Sequence, residues 1–225
     1  MSIRIEPPER PTNRLYRFAQ WFLPRWWRLN GGYEVFGEEH VPEEGGAIVA
    51  SNHLSFLDPP VVGCAMRRRT YYFAKAELFV PVFGALIRKV YAFPVKRGGA
   101  DTGATKEAIR LLRGGELMVM FPEGTRSRDG KLQELNLGAA LLASRAGVPI
   151  LPTAVYGTDR VLPVGARFFR RGRMAVSFGP PIDSQQFGPK PGKDDLTRLN
   201  GLLRQAILDL QAQQREHFEG DAQEG

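Results

Sequence analysis

A single α/β domain with a mostly buried mixed sheet flanked by helices, preceded by an amphipathic helical segment, is the fold class that this sequence predicts. Two observations carry it. From residue 33 onward, short apolar runs of strand length alternate with segments of helical period, the pattern of strands buried between helices. The 225 residues are 43% hydrophobic and 24% charged, with no internal repeat, low-complexity tract or dividing linker. Such a chain suits one packed domain and requires no second.

At the N-terminal end, Leu15, Phe18, Phe22, Trp26 and Leu29 recur at helical spacing, with Arg14, Arg17, Arg25 and Arg28 on a neighbouring stripe. Tryptophan and arginine together suit a bilayer interface, rings at the headgroup level and cations toward anionic lipid. Each basic residue near such a surface contributes about 1 kcal/mol. The same pattern also fits a helix that packs its aromatic side onto the domain. Pro24 lacks an amide hydrogen and is a point where the segment can split into two short helices.

Tyr33 to Phe36 and Ala47 to Ser51 read as strands, with Pro42 and Gly45-Gly46 turning the chain between them. Tyr71 to Ala74 and Ala92 to Val95 are further strands around a short helical stretch at Pro81 to Lys89. Thr102 to Arg113 reads as a helix ending at Gly114-Gly115, where glycine permits a left-handed cap. Leu117 to Phe121 is a strand, Leu137 to Ala146 a helix stopped by Gly147, and Ile150 to Tyr156 and Met174 to Phe178 are strands. Apolar residues at 196, 199, 203, 207 and 210 mark one face of a closing helix. Glu216 to Gly225 is a polar tail expected to fray. The expected division is therefore an amphipathic, membrane-associating segment over 1–30, the domain over 31–215 and the tail over 216–225.

A formal charge of +7 implies attraction to polyanions: nucleic acid, an anionic bilayer or a phosphorylated substrate. Zinc-ligand pairs and basic regions followed by heptads are missing, so no nucleic-acid partner is expected. The single cysteine, Cys64, lies in an apolar run and has no partner for an intrachain disulfide or a metal site. It reads as a small buried hydrophobe, compatible with a reducing compartment. Met1 to Arg10 is charged and contains prolines, without the apolar core of a signal peptide. The apolar runs stop short of the ~18 to 20 residues of a spanning helix. A peripheral protein at the cytoplasmic face of the cell membrane is expected.

The strand ending at Ser51 runs directly into Asn52-His53, and Pro59-Pro60 follow Asp58. A residue before proline is pushed out of the α region, so Asp58 is expected as the last non-helical residue, with the prolines opening a helix. The loop between can fold back so that the Asp58 carboxylate meets the His53 Nδ1–H, leaving Nε2 free to take a proton. General-base help of that kind makes an alcohol nucleophilic near neutral pH and contributes about 10² to 10⁴ in rate. Asp58 also fits a simple helix N-cap, and a loop histidine can be structural. Phe121-Pro122-Glu123-Gly124-Thr125-Arg126-Ser127 follows another buried strand. There Arg126 suits a phosphate, Thr125 offers a hydroxyl and Gly124 lets backbone approach a ligand. Glu123 would repel phosphate and suits a substrate hydroxyl or the holding of an arginine. Arg97, before Gly98-Gly99, is a further cation at a strand end. The Walker pattern and Gly-x-Ser-x-Gly are both missing. His40 and His217 have no metal-ligand spacing with His53, so no metal is expected.

These segments together resemble the glycerolipid acyltransferase family, particularly the 1-acyl-glycerol-3-phosphate acyltransferases. His53 and Asp58 match its His-x4-Asp motif, and Phe121 to Arg126 match its Phe-Pro-Glu-Gly-Thr-Arg motif residue for residue. Ala92 to Arg97 is similar to the block that ends in a substrate-binding arginine, and Val148 to Pro152 to the proline-rich fourth block. The resemblance covers Tyr33 to Gly179. Three departures are Tyr91, where glycine is frequent, Lys96, where an acidic residue is common, and Asn136-Leu137-Gly138, which lacks a lysine before the glycine.

The resemblance implies that His53 and Asp58 are catalytic and that Arg97, Glu123, Gly124, Thr125 and Arg126 bind substrate, with no bound cofactor. It implies transfer of a fatty acyl group from acyl-CoA or acyl carrier protein to the hydroxyl of a lysophospholipid acceptor. That acceptor is lysophosphatidic acid, the product phosphatidic acid, and the context phospholipid biosynthesis at an anionic membrane surface. Another lysolipid or a lipid amine is the alternative acceptor, and a membrane-binding module without turnover the alternative class. A lipid groove is expected to be lined by apolar residues between Leu54 and Leu86.

Overall fold

The computed structural model describes residues 13–95, 102–188 and 190–220. Helix α1 (Arg14–Leu29) leads into strand β1 (Tyr33–Phe36), and β2 (Ala47–Ser51) is followed by α2 (Asp58–Ala65). Then come β3 (Thr70–Lys75), α3 (Pro81–Lys89), β4 (Ala92–Val95), α4 (Thr102–Arg113), β5 (Leu117–Met120) and α5 (Gly138–Ala146). The chain closes with β6 (Ile150–Tyr156), the short α6 (Thr158–Val161), β7 (Met174–Phe178) and α7 (Lys193–Gly220). The seven strands form one sheet in the order β1-β7-β6-β2-β5-β3-β4. Neighbours pair in parallel except β6 with β7, which are antiparallel. The sheet is thus mixed, as expected, and its central strands are buried on both faces.

Alternation along each central strand divides the core in two. Ala47 and Val49 of β2, Leu117 and Val119 of β5, and Leu151 and Val155 of β6 face α1 and α2, among Trp27, Leu57, Val61 and Val62. The intervening Ile48, Ala50, Met118 and Ile150 face α4, α5 and α7, among Leu111, Leu112, Leu199, Leu203 and Ile207. Pro94 is accommodated because β4 is an edge strand, where a missing amide interrupts no ladder on its outer side.

The structure departs from expectation at three points. Helix α1 is continuous through Pro24: Tyr16 and Trp27, one on each side of the proline, are both buried against the domain, and that packing outlasts the lost amide. Helix α2 begins at Asp58 itself, with Leu57 before it. Helix α7 runs to Gly220, past the expected start of the tail at Glu216, because Phe218 is buried and stacks on Tyr156 at 4.6 Å between ring centroids.

Helix α1 carries two apolar stripes. Tyr16 and Trp27 face inward, Tyr16 sharing a 2.9 Å hydroxyl hydrogen bond with Thr70 and Trp27 lying 5.2 Å from the Tyr33 ring. Leu15, Phe18, Phe22 and Leu29 face outward at 39%, 55%, 40% and 79% exposure. The stripe read from the sequence is therefore divided: Trp26 is partly buried against the core, and its other four members face outward. The N-terminus of α1 is fastened by Asn13, whose side chain accepts from the Tyr16 amide and whose own amide donates to the Tyr91 hydroxyl at 2.9 Å. Tyr91 holds φ +64°, a left-handed backbone that glycine adopts more readily. Its ring, packed near Tyr16 and Tyr71, is what glycine could not supply there.

Candidate active site

Strands β2 and β5 are parallel neighbours, so the loops leaving their carboxyl ends meet. His53 stands in the first loop and Phe121 to Ser127 in the second. The His53 Nδ1 lies 2.7 Å from Asp58 Oδ2. That same oxygen accepts the amides of Leu54 and Ser55 at 2.6 and 2.8 Å. Asp58 is fully buried, and because it opens α2 its side chain reaches back over the loop that precedes it. With Nδ1 donating to the carboxylate, the imidazole leaves Nε2 as the nitrogen able to accept a proton.

The β5 loop holds His53 on three sides. Phe121 stacks on the imidazole with ring centroids 4.2 Å apart. The His53 carbonyl accepts the Ser127 amide at 2.7 Å, and the His53 amide donates to Glu123 Oε1 at 2.7 Å. The second Glu123 oxygen accepts the Gln133 amide at 2.9 Å. Both oxygens thus accept from backbone, a bracing role that the expectation of a substrate hydroxyl or an arginine did not include. Glu123 braces the residue that carries the imidazole. Burial raises the Glu123 carboxyl above the usual range, and the amides of Gln133 and His53 act against that rise. Glu123→Gln has one acceptor oxygen for two amides and strands one buried donor, at a cost of about 1 to 3 kcal/mol. We expect urea midpoints to register that loss, and turnover to fall roughly tenfold as His53 loosens.

Gly124 holds φ +69°, and a Cβ there would lie 3.2 Å from Asn136 Nδ2. Asn136 in turn donates both its amide and its side chain to the Pro122 carbonyl at 2.9 Å, closing the loop on itself. Arg126 sets its guanidinium 3.7 Å from the Phe56 ring centre. His53, Phe56, Gly124, Thr125 and Arg126 line one cleft of about 340 Å³, whose apolar wall is Pro59, Phe73, Ala74, Leu78, Met120 and Phe121. The volume falls in the range of small-ligand sites. Most of that wall lies between Leu54 and Leu86, where a groove was expected; Met120 and Phe121 add to it from β5. Arg97 and Lys96 lie outside the described residues.

Other positioning residues escaped the sequence reading. The Asn52 side chain pairs with the Val155 backbone in both directions, accepting from its amide at 2.8 Å and donating to its carbonyl at 3.2 Å. The Ser55 hydroxyl donates to the Leu162 carbonyl at 2.8 Å. Both sit inside the His53 segment, but partners about a hundred positions away leave no local mark. His217 likewise has an acidic partner, Glu34 at 3.3 Å, that chain spacing did not reveal. Among the described residues no three His, Cys, Asp or Glu side chains gather as a metal site requires.

Residues 32–156 match the family model described as Acyltransferase. The chain is 30% identical over 199 residues to a 1-acyl-sn-glycerol-3-phosphate acyltransferase of Bacillus subtilis, covering 88% of this chain and 97% of that protein. It is 31% identical over 171 residues to the chloroplastic enzyme of that description, LPAT1, from Arabidopsis thaliana, covering 72% of this chain and 48% of the plant protein. The crystal structure of the 1-acyl-sn-glycerophosphate (LPA) acyltransferase PlsC from Thermotoga maritima superposes with a TM-score of 0.72 at 27% identity, covering 88% of this chain and 80% of that one. A family model that spans more than half of the chain, including the strands that carry the His53 and Glu123 loops, and a relative matched over 88% of it agree with the geometry: the chain belongs to the acyltransferase family, among the 1-acyl-glycerol-3-phosphate acyltransferases.

Proposed function

We propose that this acyltransferase moves a fatty acyl group from a thioester of coenzyme A or acyl carrier protein to the free hydroxyl of lysophosphatidic acid, giving phosphatidic acid. The observation that carries the reading is one cleft with three properties: an imidazole oriented by a buried carboxylate, a cation at the rim, and an apolar wall. The relatives' shared description, 1-acyl-sn-glycerol-3-phosphate acyltransferase, supplies the acceptor. His53 Nε2 takes the acceptor hydroxyl proton while that oxygen attacks the thioester carbonyl. The resulting imidazolium is stabilised by Asp58, and collapse of the tetrahedral adduct breaks the carbon–sulfur bond. The leaving thiolate then takes the proton back from His53. No covalent acyl-enzyme is needed. Arg126 and Arg97 bind the acceptor phosphate, with Thr125 and the Gly124 backbone shaping the site around it.

Residues 1–30 serve, on this reading, as the membrane-associating segment. Among the described residues no helix is long and apolar enough to cross a bilayer. The outward stripe Leu15, Phe18, Phe22 and Leu29 supports a peripheral seat on a bilayer, which this reading places on the cytoplasmic face.

The test supplies purified protein with labelled thioesters of both kinds and a panel of lysolipids and lipid amines, products being read by mass spectrometry. Phosphatidic acid should form fastest. Turnover confined to a different acceptor would overturn the assignment. In the same assay Arg126→Ala should raise the acceptor KM about tenfold or more with kcat little changed, the pattern of lost charge-assisted hydrogen bonds to a distal group.

A further inference from the structure

Between α6 and β7 the chain runs Leu162-Pro163-Val164-Gly165-Ala166-Arg167-Phe168-Phe169-Arg170-Arg171-Gly172-Arg173, a stretch without Asp or Glu that the proposed reaction leaves unused. Phe168 is 83% exposed and Phe169 56%, with Val164 also outside. Arg167, Arg170 and Arg171 are exposed around them. Apolar rings held in water contribute little to folding, so their place needs another cause.

The segment is fixed at both ends. Its start is held by the Ser55 hydroxyl on the Leu162 carbonyl and by the Arg170 amide on the Val161 carbonyl, each 2.8 Å. Near its end Gly172 passes so close to Gly31, in the turn after α1, that a Cβ on Gly31 would lie 2.4 Å from the Gly172 carbonyl oxygen. Between these points the Phe169 ring meets Trp26 of α1 edge-on at 5.9 Å. Trp26, partly buried against the core, has the helical spacing of the stripe Leu15, Phe18, Phe22 and Leu29, so the Phe169 contact sets the two apolar surfaces side by side. Helix α1 also contains no acidic residue. The two segments together present apolar side chains and arginines with no acidic residue in either.

We propose that Phe168 and Phe169 insert into an anionic bilayer as a second attachment point beside α1, with Arg167, Arg170 and Arg171 at the level of the lipid phosphates. The inference rests on the reading of α1 as membrane-facing. Rings toward the acyl region and cations toward the headgroups is the arrangement that lowers the free energy of an interfacial element. A single helix can roll on a surface. Two linked points set a tilt, and the Ser55 contact with Leu162 carries that tilt to the loop that holds His53.

The experiment measures partition of the full chain onto vesicles of phosphatidylcholine alone and of phosphatidylcholine mixed with phosphatidylglycerol. Phe168→Ser combined with Phe169→Ser should weaken binding to the mixed vesicles roughly tenfold, with thermal midpoint and circular dichroism unchanged. Arg167→Gln, Arg170→Gln and Arg171→Gln together should weaken it about tenfold or more, on the anionic vesicles only. For a readout on the folded chain, Phe168→Cys carries an environment-sensitive thiol probe. The label is introduced in a Cys64→Ser background, whose own vesicle binding is measured first, so that position 168 alone carries the probe. The probe should shift to the blue on mixed vesicles.

Phe18→Ser with Phe22→Ser is run in parallel. If that pair loses binding while the Phe168 and Phe169 pair does not and the probe stays unshifted, the second attachment point is overturned and α1 stands. If neither pair loses binding, both readings fall. Unchanged vesicle binding with a raised KM for acyl carrier protein thioester but not for acyl-CoA would make the segment a docking surface for the acidic donor protein, and would equally overturn the proposal.

Discussion

His53→Ala is expected to lower turnover by about 10² to 10⁴ while the chain stays folded. The ring is removed from between Phe121 and the Asp58 carboxylate, yet its backbone contacts persist, because the His53 amide and carbonyl are bound to Glu123 and Ser127 independently of the side chain. Asp58 keeps the amides of Leu54 and Ser55. Acceptor KM should therefore change little and kcat should carry the loss. The measurement is single-turnover acyl transfer alongside urea unfolding. Wild-type kcat in the variant would remove His53 from the chemistry.

Asp58→Asn and Asp58→Ala are expected to part company. The three donors to Asp58 among the described residues converge on Oδ2, and the buried Oδ1 has no partner among them. An asparagine that places its amide oxygen at the Oδ2 position keeps the three hydrogen bonds and the Nδ1 proton, and its NH₂ takes the buried Oδ1 position as an unpaired donor, at a cost of about 1 to 3 kcal/mol. It also loses the negative charge opposite the imidazolium, so turnover should fall on the order of 10²-fold with acceptor affinity preserved. Alanine strands all three donors in a fully buried position and should destabilise the chain by about 3 kcal/mol or more. Unfolding curves and kcat for the two variants check the contrast. Equal stability of the two would mean that the carboxylate does not hold the loop.

What the sequence made legible follows the reach of each interaction. The strands at Tyr33, Ala47, Ala92, Ile150 and Met174 and the helices at Pro81 and Thr102 came from patterns contained within each segment, and their bounds agree with the structure. The meeting of His53 with Asp58 needed only a short loop and two prolines. By contrast, the continuity of α1 across Pro24 depends on where Tyr16 and Trp27 pack, and the persistence of α7 depends on a pocket for Phe218 beside Tyr156. The bracing role of Glu123 was illegible for the same reason. A carboxylate in a phosphate-binding motif suggests a ligand contact until its two backbone partners, His53 and Gln133, are brought beside it by the parallel pairing of β2 with β5. Strand order itself, with β7 reversed against β6, left no signature in any single segment.

The distant braces of the His53 loop also set a clock. Asn52 waits for Val155, His53 for Glu123, and Ser55 for Leu162. At about 5 to 20 residues per second of synthesis, roughly 5 to 20 s separate the appearance of His53 from that of its last support. A nascent chain halted before Val155 would carry the whole His-x4-Asp segment and the Glu123 brace, and yet lack the Asn52 and Ser55 supports of that loop. Acyl transfer is then acquired late in translation, after the N-terminal helix has already emerged.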